Sequence, residues 1–351
     1  MTRSAIIRTI SHPQPAASML ARPRPHVRTF TSMPRFSSAG AEVRIVEVGA
    51  RDGLQNEKTT VSLDTKLELL SRLSRTGLRH IEAGSFVSPK WVPQMANTSA
   101  ILSQLETTRE KDDGITYSYL VPNTKGLSGF LDGKPTPATT GNEIAVFASA
   151  SEGFSQKNLN CSIVDSIARF EPVVASALEN GYQVRGYVSM VISCPYSGPT
   201  PSQAVGDVVE KLLDMGCYEV SLGDTNGVGT PGTVGKLLKH LVEERGIPPE
   251  RLAAHFHDTY GQAIVNALVA LEYGIRTFDS SVGGLGGCPY AKGATGNVAT
   301  EDLVYFLEGT GVHTGVDLEQ LVGIGEWISK TLGKGNGSRV GRALASKKGL
   351  M

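Results

Sequence analysis

Residues 43–53, VRIVEVGARDG, contain the pattern that decides the fold: a β-branched run followed by polar residues where the strand would end. From Val43 onward, runs of this kind alternate with longer segments of helical periodicity, which is typical of β/α units around a parallel sheet. The alternation predicts strands at eight places: 43–48, 80–86, 115–121, 143–149, 184–190, 218–223, 252–257 and 277–282.

Helices are predicted between these strands, at 64–76, 156–180, 201–215, 231–245 and 261–273. Eight strands with intervening helices favour a closed (β/α)8 barrel, the TIM barrel, over an open doubly wound sheet, because closure leaves no edge strand to protect. We expect the barrel to span residues 42–310. Residues 311–351 are expected to form a short C-terminal extension, with one helix at 317–332 and a polar basic tail.

The first 41 residues differ in composition from the rest of the chain. They contain six arginines and many serines, and the first acidic residue is Glu42. This composition is typical of an organelle transit peptide and predicts import into the mitochondrial matrix, with a merely disordered tail as the alternative. Removing residues 1–41 takes away six of the 34 basic residues and none of the 34 acidic ones, so the remaining body is acidic.

Several classes of partner are excluded by what the sequence lacks. It has no lysine-rich stripe, so nucleic acid is not an expected partner. No apolar run reaches the roughly 18 residues that a membrane span requires. The four cysteines lack a CxxC pair, so we expect reduced thiols; they are Cys161, Cys194, Cys217 and Cys288.

Polar residues gather where the predicted strands end. In a β/α barrel these ends form the face that carries the active site. The residues concerned follow or lie on strands one, two, six and seven, and in the loop after strand eight: Arg51, Asp52, Glu82, Asp224, His255, His257, Cys288 and Asn297.

His255 and His257 are two residues apart on a predicted strand, so the pleat points both imidazoles to one face. Two imidazoles near the barrel mouth suit a divalent metal ion. Asp52 can add a carboxylate from the first strand, which is the neighbour of the eighth strand in a closed barrel. Nitrogen and oxygen donors without thiolates suggest Mg²⁺ or Mn²⁺, although Zn²⁺ or Co²⁺ would also fit. The alternative is two histidines satisfied by hydrogen bonds alone.

Two further residues gain a chemical interpretation from their position. Arg51, at a strand end beside the metal site, can hold a carboxylate or stabilise oxygen charge in a transition state; an ordinary ion pair is the alternative. Cys288 lies in the glycine-rich segment 281–297, which we interpret as a lid on which a cysteine can transfer a proton or act as a nucleophile. We interpret Cys194 as structural.

Five segments resemble the family of 3-hydroxy-3-methylglutaryl-CoA lyases. They are RDGLQNE (51–57), SFVSPKWVPQM (85–95), SLGDT (221–225), HFHDTYGQA (255–263) and SVGGLGGCPYA (281–291). Arg-Asp-Gly with His-x-His is found throughout the wider metal-dependent barrel superfamily, whereas GGLGGCPYA is specific to the lyases. The resemblance runs from about residue 43 to about residue 320.

The resemblance implies roles at the matching positions. Asp52, His255, His257 and Asn297 would bind the metal, Arg51 would bind the thioester oxygen of the substrate, and Cys288 would be the catalytic cysteine. Glu82 and Asp224 would line the site and orient Arg51 and the substrate.

The implied reaction is cleavage of a coenzyme A thioester to acetyl-CoA and acetoacetate, as in leucine degradation and ketone-body formation, by a homodimer. An acyl-CoA-dependent Claisen-type synthase of the same superfamily and a non-catalytic metal-binding barrel are the alternatives.

Overall fold

The computed structural model describes residues 42–108, 114–137, 141–287 and 296–349. Eight parallel strands form a closed barrel in which each strand pairs with the next and β8 pairs with β1. The strands are β1 (Arg44–Glu47), β2 (His80–Ser85), β3 (Thr116–Leu120), β4 (Asn142–Ser149), β5 (Val184–Ser189), β6 (Glu219–Asp224), β7 (Leu252–Phe256) and β8 (Thr277–Ser280). The (β/α)8 barrel expected from the sequence is confirmed.

Helices lie between the strands and follow the barrel. They are α1 (Leu63–Leu73), α2 (Thr98–Thr108), α3 (Thr124–Asp132), α4 (Glu152–Asn158), α5 (Ile163–Glu179), α6 (Ser202–Met215), α7 (Pro231–Leu238), α8 (Ala263–Glu272), α9 (Thr300–Gly309), α10 (Leu318–Thr331) and α11 (Arg339–Lys347). A turn of π-helix, Lys239–Glu244, continues α7. Within the described residues, no helix combines the length and apolarity needed to cross a membrane.

The segment expected to be one helix at 156–180 is two helices. Asn160 has a left-handed backbone, with φ of 52°, which stops α4. Ser162 then starts α5 by accepting a hydrogen bond from the backbone N–H of Asp165. The sequence prediction therefore merged α4 and α5, two amphipathic helices that a turn separates.

The C-terminal extension also contains one helix more than expected, because α11 lies in the segment interpreted as a polar tail. Ser338 begins it by accepting a hydrogen bond from the N–H of Gly341 at 2.7 Å. The same hydroxyl donates to the buried carboxylate of Asp302, on α9, at 2.6 Å. A nine-residue helix fixed in this way depends on tertiary contacts more than on its own propensity.

The interior of the barrel is charged. Apolar side chains fill the space between strands and helices, among them Val146, Phe170 and Leu212. Inside the strands, however, Arg185, Glu219 and Asp279 are each at most 2% exposed. β/α barrels usually fill this space with branched aliphatic side chains. Arg185 and Glu219 lie near the N-terminal ends of β5 and β6, so the charged layer is deeper in the barrel than the C-terminal ends of the strands.

Candidate functional site

The chain leaves β1 through a single turn of π-helix, Gly49–Gly53, which carries Arg51 and Asp52. The N–H of Gly53 donates to the carbonyl of Val48 at 3.1 Å, which closes the wide turn. A Cβ at Gly53 would lie 2.8 Å from the Cβ of Leu285, so a larger residue would push the turn off the neighbouring loop. The glycine of the Arg-Asp-Gly sequence is thus required by the close approach of this turn to Leu285.

Asp52, His255 and His257 come together at the mouth of the barrel. Each offers a donor atom, and these atoms all lie within 4.8 Å of one another. The Nε2 atom of His255 is 3.9 Å from Oδ2 of Asp52. Two imidazole nitrogens and a carboxylate oxygen form a donor set that suits a divalent cation. The residues therefore fit the metal that the sequence suggested.

Asn297 lies beside this triad although it follows a different strand. The segment around it runs antiparallel to the end of β7, where Asn297 forms a backbone bridge with His257. Its side-chain amide bonds to Oδ2 of Asp52 at 2.8 Å and to the carbonyl of Leu285 at 3.2 Å. All four residues that the family resemblance assigned to the metal are thus neighbours.

Arg51 is buried between two carboxylates. Its Nε and Nη2 atoms lie 2.8 and 2.6 Å from the same oxygen of Glu82, and Nη1 lies 2.9 Å from Asp52. Burial opposes the positive charge, but the Coulombic attraction of Glu82 and Asp52 raises the pKa of Arg51 above its ordinary value. The guanidinium is therefore a permanent cation with a fixed orientation.

The charge of Asp52 is stabilised by its neighbours. Burial works against the carboxylate, but Arg51 and the two histidines outweigh it and lower the pKa of Asp52. Asp52 is consequently ionised at neutral pH, the form that can bind a cation.

Asp224 occupies a different environment from Glu82. It ends β6 and is buried, and its two oxygens accept hydrogen bonds from the backbone N–H groups of Val228 and Gly229 at 3.2 and 2.8 Å. Burial raises the pKa of Asp224 to about 6 despite these donors. The structure thus places Glu82 against Arg51 and places Asp224 against its own loop.

Three side chains that the sequence did not single out surround the triad. Asp279 lies 3.1 Å from Nδ1 of His255, and Arg185 donates to the hydroxyl of Tyr187 at 2.6 Å. The guanidinium of Arg51 lies 5.7 Å from the centre of the Tyr187 ring. A charged residue in the middle of a predicted strand, as in TFDSSV or VRGYVSM, was the available signal, because buried charges need partners.

A cavity of about 1270 Å³ opens over these residues. Its floor includes Arg51, Asp52, His255, His257 and Tyr187. Its walls combine apolar and basic side chains: Leu120, Phe147, Phe154, Leu159, Lys58, Lys157 and Arg169. Gly287 also lines the cavity, whereas Cys288, the next residue, lies outside the described residues.

Comparisons with known proteins identify a family and relatives of this chain. A family model described as HMGL-like matches residues 42–328. The 3-hydroxy-3-isohexenylglutaryl-CoA/hydroxy-methylglutaryl-CoA lyase of Pseudomonas aeruginosa is 53% identical over 87% of this chain and 98% of that protein. The mitochondrial hydroxymethylglutaryl-CoA lyase of Macaca fascicularis is 51% identical over 86% of this chain and 89% of that protein.

A solved structure is also similar. An HMG-CoA lyase from Acinetobacter baumannii, in complex with coenzyme A and 3-methylmalate, has a TM-score of 0.79 and 36% sequence identity. The match covers 86% of this chain and 95% of that one.

The pair between Arg51 and Glu82 should contribute strongly to stability. Glu82→Gln leaves part of a buried cation uncompensated, and losing one member of a buried pair costs about 3–5 kcal/mol. We expect urea unfolding to show a loss of that size. Glu68→Gln is the matched control, since Glu68 forms an exposed ion pair with Arg72 that contributes about 0.5 kcal/mol or less. Equal losses in the two variants would contradict the assignment.

Proposed function

The chain belongs to the HMGL-like family, and we propose that it cleaves 3-hydroxy-3-methylglutaryl-CoA into acetyl-CoA and acetoacetate. The observation that carries the proposal is the position of Arg51, a fixed cation within 2.9 Å of a carboxylate of the candidate metal triad. The names of relatives about half identical in sequence support the same substrate.

The reaction is a retro-Claisen cleavage. The proton of the tertiary hydroxyl is removed, the C2–C3 bond breaks, and C3 becomes the ketone carbon of acetoacetate. The electron pair of the broken bond moves to the thioester carbonyl and gives the enolate of acetyl-CoA, whose C2 then takes a proton. The site must therefore supply a base, a stabiliser of enolate charge and a proton donor.

Asp52, His255, His257 and Asn297 are the residues that would hold a divalent cation, Mg²⁺ or Mn²⁺. When bound, the cation would supply a Lewis acid that lowers the pKa of a coordinated hydroxyl, as protein-bound metal ions do for water. The proton of the substrate hydroxyl would pass to Asp52 or to His255, the two candidate bases within the triad.

Arg51 would stabilise the enolate oxygen. Its guanidinium is held by Glu82 and Asp52 before substrate arrives, so no reorganisation is required when the negative charge develops. Removing one preorganised donor of this kind typically costs about 3 kcal/mol of transition-state stabilisation. Glu82 would act on the reaction through Arg51, and Asp224 would act through the loop after β6, from whose backbone N–H groups it accepts hydrogen bonds.

Cys288 would protonate C2 of the enolate. It follows Gly287, which lines the cavity, and the GGLGGCPYA segment that contains it is the most specific part of the family resemblance. A thiol one residue beyond Gly287 would be a suitable proton donor for the enolate carbon.

The proposal extends to location and assembly. Residues 1–41 have the composition of a mitochondrial transit peptide, and the macaque relative is mitochondrial, whereas the P. aeruginosa relative is bacterial. Import into the mitochondrial matrix and a homodimeric state are the corresponding expectations.

The function can be tested with the purified chain and Mg²⁺. We expect acetoacetate to form from 3-hydroxy-3-methylglutaryl-CoA and to stop forming when a chelator removes the metal. A parallel assay follows the release of free CoA from acetyl-CoA and 2-oxo acids. Release of CoA without acetoacetate would favour a synthase, and metal binding without either activity would favour a non-catalytic barrel.

The metal assignment can be tested through His257. His257→Ala removes one of the nitrogen donors, so the Kd for Mn²⁺, measured by electron paramagnetic resonance, should rise at least about tenfold. His240→Ala is the control, because His240 pairs with Glu244 on the outer surface. Unchanged Mn²⁺ affinity in His257→Ala would remove His257 from the ligand set.

The role of Cys288 can be tested separately from metal binding. Cys288→Ala should lose most of its turnover and keep both its Mn²⁺ affinity and its circular dichroism spectrum, because a proton donor is needed only for the chemical step. Cys194→Ala is the matched control, since Cys194 begins the same Cys-Pro-Tyr sequence in a buried position. Near-normal turnover of Cys288→Ala would exclude Cys288 from catalysis.

A further inference from the structure

Below the candidate metal site, one buried guanidinium lies between two buried carboxylates. Arg185 donates from Nε to Glu219 and from Nη2 to Asp279, each at 2.8 Å. All three side chains are at most 2% exposed. Buried ion pairs of this kind are often no more stabilising than apolar residues of the same volume, because desolvation is costly. Stability alone therefore gives a weak reason for charges at these positions.

Asp279 connects this charged group to the metal triad. It is the register partner of His255, on the adjacent strand, so both side chains point into the barrel at the same level. Oδ2 of Asp279 lies 3.1 Å from Nδ1 of His255. Since Nδ1 is engaged there, the opposite nitrogen, Nε2, is the one that faces Asp52 at 3.9 Å.

The Asp279 carboxylate is itself held from two other directions. Its Oδ2 accepts a hydrogen bond from the hydroxyl of Ser221 at 2.7 Å, and Arg185 contacts both oxygens, at 2.8 and 3.3 Å. Rotation of the carboxylate would break several charge-assisted contacts at once. Asp279 is therefore a rigid acceptor, and the His255 ring orients relative to it.

Arg185 extends the same arrangement to the floor of the cavity. Its Nη1 donates to the hydroxyl of Tyr187 at 2.6 Å, and Tyr187 lines the cavity. Arg185 and Tyr187 are two residues apart on β5, so both face the barrel interior. The guanidinium of Arg185 thus holds both Asp279, which contacts His255, and Tyr187, which lines the cavity.

We propose that Asp279, held in place by Arg185, is a positioning residue that keeps Nε2 of His255 directed at the divalent cation. The inference rests on the metal site proposed above. Histidine ligands that donate their other ring N–H to a carboxylate have a fixed tautomer and ring orientation, and loss of the carboxylate typically lowers metal affinity or activity about 10- to 100-fold. Asp279 does not touch the substrate, so its effect must pass through His255.

The test compares two variants with the same chemical change. Asp279→Asn and Glu219→Gln each neutralise one of the two carboxylates that pair with Arg185, but only Asp279 contacts His255. We expect both variants to lose thermal stability, since each weakens a buried ion pair with Arg185; Glu219 also pairs with Arg44. The Kd for Mn²⁺ should rise about 10- to 100-fold in Asp279→Asn and stay within about twofold of the parent in Glu219→Gln.

A spectroscopic measurement on the unchanged protein makes the test independent of how well a variant folds. Two-bond ¹⁵N–¹H correlation spectra of the Mg²⁺-loaded chain should show His255 with its proton on Nδ1. The His255→Gln variant identifies this signal among those of the seven histidines. Co²⁺ absorption bands should also differ between Asp279→Asn and the parent, because the ligand geometry changes.

The outcomes separate the two proposals. If the parent chain fails to bind Mn²⁺, the metal site proposed above is wrong and the positioning role of Asp279 is wrong with it. If the parent binds but Asp279→Asn binds equally well, or Glu219→Gln loses the same affinity, only the positioning role is overturned. If Asp279→Asn does not fold, a proton on Nε2 of His255 in the parent overturns the inference and a proton on Nδ1 supports it.

Discussion

The site depends on closure of the barrel through the parallel pairing of β1 with β8. This pairing sets Ile45 beside Phe278 and Val46 beside Asp279. Asp52 follows β1, His255 lies on β7 with His257 directly after it, and Asn297 follows β8. In an open sheet with β1 and β8 at opposite edges, Asp52 would lie far from the other three residues. Barrel closure is therefore what assembles the donor set.

The interior of the closed barrel contains two arginines, each of which pairs with two carboxylates. Arg51 lies between Glu82 and Asp52, and deeper in the barrel Arg185 lies between Asp279 and Glu219. Each guanidinium has two carboxylate partners, so its planar donors are used in fixed directions. This interior is costly to desolvate, but it orients side chains more strictly than a layer of aliphatic residues could. The barrel exchanges some stability for defined geometry at its active face.

How far the sequence predicts this structure depends on the range of the interaction. The eight strands could be predicted because β-branched runs mark them locally. That Asp52, His255 and His257 lie close together could be predicted, because the spacing of the histidines on one strand and the closure of the barrel follow from the strand order. The break between α4 and α5 was missed, since it depends on a left-handed residue, Asn160, inside a continuous amphipathic pattern. Asp279 was missed because its contact with His255 depends on the register between β7 and β8, which the sequence pattern does not reveal.

The wide sequence separation of the site residues links cation binding to folding of the whole barrel. The hydrogen bond from Asn297 to Asp52 joins residues 245 positions apart, and no shorter fragment contains both. A cation held by Asp52, His255 and His257 would link the end of β1 to the end of β7, on either side of the pairing of β1 with β8 that closes the barrel. By mass action, a concentration 100 times its Kd would add about 2.7 kcal/mol to the stability of the closed form. The ion would therefore favour the closed barrel over any state in which β1 and β8 have separated.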